Sequence, residues 1–252
     1  MVEIDGRRLE YRTIGAGNGP ALVFLHEGLG CMGLWRQFPD DLVEAAGRRG
    51  LVYSRAGHGR SDPLQERRTP DFMHYEALVV LPRLLDELGV VEPILVGHSD
   101  GASIALIHAG AGHPVSGLVL LAPHVFVEPE SVAGIEAARV QFETTDLAER
   151  MARHHHDPNS TFRGWNDIWL DPEFRNWNIE DSLPGVMCPT LLIQGLDDEY
   201  GTLAQLDAIE KGLAGPSERL VLDDCGHSPH LAQPDNVLRA TTRFVSEIGD
   251  SG

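Results

Sequence analysis

The sequence predicts an α/β fold built on a mostly parallel sheet, and three observations carry that expectation. Short, almost wholly apolar runs recur at residues 21–25, 51–53, 94–96, 118–121, 190–194 and 220–222. Runs of this kind mark strands buried on both faces of a parallel sheet. Amphipathic helical stretches alternate with them, as crossovers between parallel strands require. Several runs end in loops rich in glycine, serine, histidine and acidic residues, which gathers chemistry at the C-terminal edge of the sheet. A length of 252 residues fits one such domain with a modest insertion.

Taken in order, residues 2–4 and 9–14 alternate apolar and polar positions around Asp5-Gly6 and read as an opening hairpin at the antiparallel edge of the sheet. Residues 15–20 turn into the strand at 21–25, which ends in His26-Glu27-Gly28-Leu29-Gly30. A helix at 34–46 precedes the strand at 51–53, which runs into Ser54-Arg55-Ala56-Gly57-His58-Gly59-Arg60-Ser61-Asp62. The next helix takes Thr69 as N-cap and Pro70 at its first position, with an apolar face of Leu78, Leu81, Leu84, Leu85 and Leu88. Pro82 is placed to bend it, and Gly89 stops it.

The strand at 94–96 passes through Gly97-His98-Ser99-Asp100-Gly101 into a small-residue helix, and 118–121 is the following strand. Between 124 and 188 the pattern changes to short helices broken at Asp157-Pro158 and Asp171-Pro172, with three of the four tryptophans. This span reads as an insertion over the C-terminal edge of the sheet. A strand at 190–194, a helix at 203–213, a strand at 220–222 and a closing helix at 236–248 complete the chain. The expected division is a core of 1–123 and 189–252 with a helical cap at 124–188.

Composition narrows the function classes. Twenty basic against 38 acidic residues leave a formal charge of −18, and such a surface repels phosphate backbones and anionic lipid heads. The expected partner is a small-molecule substrate, with neither nucleic acid nor membrane; nothing in the residues sets the oligomeric state. The opening MVEIDGRRLEYRTIG has no basic-then-apolar leader pattern, and no run approaches the ~18 apolar residues of a span. Three widely spaced cysteines, Cys31, Cys188 and Cys225, give neither a disulfide framework nor a zinc pattern. A cytoplasmic compartment is the expectation. His154-His155-His156 reads as a solvated face and not a metal site, because consecutive helical side chains point in different directions.

The densest chemistry lies at Ser99. A strand that reverses directly into a helix forces its apex residue into a strained conformation, and side chains two before and two after would collide with the crossing backbone. Gly97 and Gly101 meet that requirement. The serine oxygen then stands at the positive end of the following helix. A serine hydroxyl barely ionises near neutral pH, so it needs a base, and the base needs an orienting acid. Two loops offer them: Gly195-Leu196-Asp197-Asp198-Glu199-Tyr200-Gly201 and Asp223-Asp224-Cys225-Gly226-His227-Ser228-Pro229-His230.

LVFLHEGLG, SRAGHGRSD, VGHSDG, LLIQGLDDEYG and DDCGHSPHLAQP together resemble the α/β-hydrolase superfamily, in its cap-containing serine hydrolase and esterase branch. The resemblance covers the chain except 124–188. It implies an eight-stranded, mostly parallel sheet with the cap between strands six and seven. It also implies Ser99 as nucleophile, Asp198 as acid and His227 as base, without a cofactor or metal. Asp197 stands as the alternative acid and His230 as the alternative base. Oxyanion donors are expected at the N–H of Asp100, next after the nucleophile, and of Gly28, with Glu27 as the alternative to Gly28. Glu27 stands where the family usually has glycine, and Ser54 where it commonly has aspartate.

Glu27 and Asp100 are expected either to serve structure or to bring negative charge beside the acyl site and favour ammonium-bearing substrates. Trp165, Trp169, Phe126 and Trp177, with Phe142 and Phe162, are expected either to line an apolar pocket or to pack the cap. The function expected is hydrolysis of a small to medium carboxylic ester through an acyl-enzyme. The same groups serve thioesters, lactones, amides, the C–C bond of a β-diketone or perhydrolysis, and the fold also serves as a ligand receptor without turnover.

Overall fold

The computed structural model of the chain describes residues 1–249. Strands β1 (Val2–Ile4) and β2 (Arg7–Leu9) pair with each other, and the turn between them puts Asp5 and Gly6 at φ 53° and 73°. Strands β3 (Tyr11–Ile14), β4 (Leu22–Leu25), β5 (Gly50–Tyr53), β6 (Ile94–His98), β7 (Gly117–Leu121), β8 (Thr190–Gly195) and β9 (Ser217–Leu222) form a seven-stranded sheet in the order β3-β5-β4-β6-β7-β8-β9. Only β3 runs antiparallel, on β5. Leu25 lies beside Gly97 and His98 beside Leu121, so the strand ends that carry the polar loops align along one edge.

The expected eighth strand is not part of this sheet. The tight Asp5-Gly6 turn returns the chain onto itself, and β1 spends its backbone bonds on β2. At Glu10 the pairing switches: its N–H donates to Ser61 Oγ (2.9 Å) and its carbonyl accepts from the Ser54 N–H (3.1 Å). The antiparallel edge is therefore β3 alone.

Helix α1 (Phe38–Ala46) starts later than its apolar spacing predicts, after a 3₁₀ turn at Met32–Trp35. Trp35 is buried edge-on against Phe24, with ring centroids 5.6 Å apart, and Arg36 at φ 55° separates the two pieces. The next helix is split into α2 (Phe72–Tyr75), a π-helical turn at Glu76–Val80 and α3 (Leu81–Glu87). Asp71 and not Thr69 stands at its N-cap. Pro82 has no N–H and its ring crowds the carbonyl four residues back, and the widened turn just before it accommodates both. Gly89 closes the segment at φ 63°, with the Val90 N–H reaching the Leu85 carbonyl at 2.8 Å.

Helix α4 (Asp100–Gly110) is buried along nearly its whole length behind the sheet. Between β7 and β8 the chain forms α5 (Pro129–Thr144), α6 (Leu147–Met151), α7 (Pro158–Trp169) and 3₁₀ turns at Pro172–Asn176 and Glu180–Gly185. Asp157 and Asp171 start pieces as well as end them, accepting from the N–H of Ser160 (2.9 Å) and Glu173 (2.8 Å). His155 corrects the solvated reading of the histidine run: it is 3% exposed, accepts from the Gly59 N–H (3.0 Å) and donates to the Leu29 carbonyl (3.0 Å). It ties the inserted segment to two sheet-edge loops. Helices α8 (Ala204–Gly212), α9 (Pro229–Ala232) and α10 (Pro234–Glu247) complete the fold, and apolar clusters fill both sides of the sheet. Among the described residues no helix is long and apolar enough to cross a membrane.

Candidate active site

Ser99 caps β6 at φ 51°, ψ −118°, the strained apex that a strand-to-helix reversal demands. A Cβ on Gly97 would come within 2.5 Å of the Gly101 carbonyl oxygen, and one on Gly101 would collide with the Leu25 carbonyl. The Ser99 N–H donates to the Leu121 carbonyl at 2.9 Å, which fixes the apex to the neighbouring strand.

His227 stands on the loop after β9, and its Nδ1 faces the Asp198 carboxylate at 2.8 and 3.0 Å. Asp198, on the loop after β8, also accepts from the Tyr200 N–H (2.9 Å) and Gln194 Nε2 (3.0 Å). Burial alone would raise its pKa, but the facing imidazole and these donors hold it below the ordinary carboxylate value. Burial alone would lower His227; the charge and hydrogen bond of Asp198 outweigh it and leave the imidazole above its usual value. Asp197 is exposed, and His230 is buried against Trp35 and His98, pushed down to about 3 by burial. Asp198 and His227 are thus the pair brought together.

Ser99 and His227 line one cavity of about 240 Å³ with Glu27, Gly28, Leu29, His124, Ser131, Ile135, Trp165, Trp169, Glu199, Tyr200 and Ser228. No described residue accepts from the Gly28 N–H, and that of Asp100, first in α4, lies beyond the helix's own ladder. The Trp165 indole lies directly on Gly28, where a Cβ would overlap it. A larger cleft of about 610 Å³ lined by Arg67, Arg68 and Arg163 does not include Ser99.

Glu27 sits in the cavity wall with its carboxylate 3.5 Å from His98 Nδ1. Burial opposes its ionisation, yet the His98 contact holds its pKa at about 2. The other His98 nitrogen, Nε2, donates to the His227 carbonyl at 2.7 Å, so one ring joins the nucleophile strand to two loops. Of the two roles expected for Asp100, its surroundings fit the structural one. It is fully buried, it is absent from the cavity wall, and its Oδ1 accepts from Trp169 Nε1 at 3.1 Å. Burial raises its pKa, partly offset by Arg55 and Arg68.

Of the aromatic residues expected at the pocket, Trp165 and Trp169 line it. Phe126 and Trp177 do not. Phe126 bridges to Asn178 in the backbone, and Trp177 stacks on Phe174 behind Trp169. Phe142 and Phe162 stack at 3.9 Å between α5 and α7. Ser54 is a tie: it donates to Glu10 (2.6 Å) and accepts from the Met32 N–H (2.9 Å). Sequence reasoning missed His124 and Glu199 at the cavity, although both follow strand ends at the edge where sites form. Among the described residues no cluster of histidine, cysteine and acidic side chains is arranged to hold a metal.

The model of the alpha/beta hydrolase family matches residues 22–240. An sn-1-specific diacylglycerol lipase of Mus musculus is 37% identical over 36% of this chain, a match spanning only 28% of the lipase. A proline iminopeptidase of Lactobacillus helveticus is 24% identical over 96% of this chain and 95% of its own. Among solved structures, Est816, described as an N-acyl homoserine lactone degrading enzyme, superposes with TM-score 0.73 at 27% identity, covering 96% of this chain and 99% of its own. With the family match over most of its length, the chain belongs to the alpha/beta hydrolase family.

Proposed function

We propose that the enzyme cleaves small to medium carboxylic esters through an acyl-enzyme on Ser99. One observation carries the reading: an imidazole hydrogen-bonded to a buried carboxylate shares a cavity with a serine held at a strained strand-to-helix apex. In the mechanism, His227 Nε2 takes the Ser99 proton as Oγ attacks the carbonyl carbon. Asp198 stabilises the imidazolium so formed. The oxyanion is held by the N–H groups of Gly28 and Asp100, the proton passes to the departing alkoxide, and water releases the acid by the reverse sequence. The helices between β7 and β8 act as a cap, and the partner is a small molecule in the cytoplasm.

A p-nitrophenyl series from acetate to octanoate tests this. Multiple turnover is expected on the short esters and a decline toward octanoate, because about 240 Å³ must hold acyl chain and leaving group together. An absence of turnover across the series, or turnover that survives loss of Ser99, contradicts it. Gly28→Ala is expected to lower kcat by roughly 10²–10³-fold, the usual loss when an oxyanion donor moves, because Trp165 must displace the loop. Circular dichroism should be unchanged, since the clash is confined to the cavity wall.

A second reading keeps the nucleophile and changes the substrate. Glu27 and Glu199 put two carboxylates in the cavity wall, and both favour positive charge near His227. This supports amino-acid esters or amides with a free amine, in line with the iminopeptidase likeness. Glu199→Gln should then lower the preference for an amino-acid ester over its neutral analogue by roughly 10-fold, a screened Coulomb effect at a few ångströms. An unchanged ratio excludes it.

A further inference from the structure

The cavity around Ser99 holds an imidazole that the hydrolytic steps leave unused. His124 follows β7, so it reaches the same sheet edge as Ser99 and His227. Only 2% exposed, it still lines the cavity. Its carbonyl accepts from Ser103 Oγ at 2.6 Å, and its ring stands edge-on to Trp169 with centroids 5.4 Å apart. The ring is 5.6 Å from that of His227.

Neither ring nitrogen of His124 has a hydrogen-bond partner among the described residues: Nδ1 is sealed from the cavity, and Nε2 is the one a cavity ligand can reach. Buried polar atoms are nearly always paired in folded proteins, so an unpaired imidazole in a binding cavity marks a missing partner. Gly201 packs on the Nδ1 edge of the ring, where a Cβ would come within 3.3 Å of Nδ1 and 3.0 Å of Cε1, which leaves the Nε2 edge to face the cavity. Gln205, packed beside the same glycine, is already engaged with Val125, Phe126 and Glu128. Burial pushes His124 down to about 3, so the ring is neutral and offers one donor and one acceptor. A neutral group is its natural complement; a carboxylate would meet Glu27 and Glu199 in the same wall.

We propose that His124 is a specificity-determining residue that hydrogen-bonds a hydroxyl or oxo oxygen on the acyl chain, which makes hydroxyacyl and oxoacyl esters the preferred substrates. The assignment rests on the acyl-enzyme reading of Ser99. A ring that only packs would treat oxygenated and plain acyl chains alike.

Protection of Ser99 from a fluorophosphonate probe reads this without requiring turnover. Methyl 2-hydroxybutyrate, methyl 3-hydroxybutyrate and methyl 3-oxobutyrate are compared with methyl butyrate in wild type, His124→Phe and His124→Gln. In wild type at least one oxygenated ester should protect at roughly 10-fold lower concentration than methyl butyrate, the worth of one neutral hydrogen bond. His124→Phe should abolish the difference and His124→Gln restore part of it. Equal protection in wild type, or a difference that persists in His124→Phe, overturns the proposal. Should His124→Phe no longer label, His124→Gln against wild type decides, and an undiminished preference in it counts against the role. Labelling and selective protection without turnover would refute the ester reading while leaving the His124 assignment supported.

Discussion

Ser99→Ala is expected to lower kcat/KM on the short p-nitrophenyl esters by roughly 10⁵–10⁶-fold, the loss typical when a serine nucleophile is removed. The fold should be indifferent. The φ of 51° and the clamp to the Leu121 carbonyl are backbone features that an alanine keeps, and among the described residues Oγ makes no hydrogen bond. The expected melting temperature therefore lies within a few degrees of wild type. A residual rate above background would come from the donors at Gly28 and Asp100 and from binding alone. A variant that kept more than a hundredth of the activity would place the nucleophile elsewhere.

Asp198→Asn should cost roughly 10³–10⁴-fold in kcat/KM, because an amide in that place no longer holds Nδ1–H toward it or stabilises the imidazolium. The pH profile carries the sharper signature. His227 stands above its ordinary 6.5 because Asp198 first, and Glu199 and Glu27 after it, outweigh burial, so the wild-type acid limb should lie above pH 6.5, with activity rising as the ring loses its proton. Without the carboxylate, burial dominates and the limb should move to lower pH. Stability responds in the opposite sense. The raised His227 contributes stability below the unfolded value of 6.5 that is lost as pH rises through its folded value. The lowered Asp198 contributes stability above 3.8 that is lost as pH falls through its folded value. The pair is thus strongest in mildly acid solution, where the enzyme is least active. A limb unmoved in Asp198→Asn would detach the acid from the base.

Much of this site was legible in the chain itself. Parallel strands leave runs without alternation, and the glycines at 97 and 101 announce a reversal that only they can make. The order of Ser99, Asp198 and His227 across three strand ends left few partners to weigh. Other features depend on packing that a single chain pattern does not encode. Trp169 and Trp177 are equally apolar in the sequence, and only the turn after α7 decides that one faces the cavity and the other lies behind it. Asp100 reads as a charge beside the nucleophile, yet the helix start rotates it under Trp169. His155 carries no periodic signal, because its burial comes from loops far away in sequence. The first strand, β1, fits the sheet pattern and is withheld from the sheet by a turn two residues long.

One measurement tests the central geometry most directly: the site and pH dependence of fluorophosphonate labelling, read by intact mass and peptide mapping. The account requires one adduct per chain, on the peptide bearing Ser99, forming faster as pH rises through a value above 6.5 and absent in Ser99→Ala. An adduct on another residue, or a labelling rate on Ser99 that ignores the loss of His227, would contradict it.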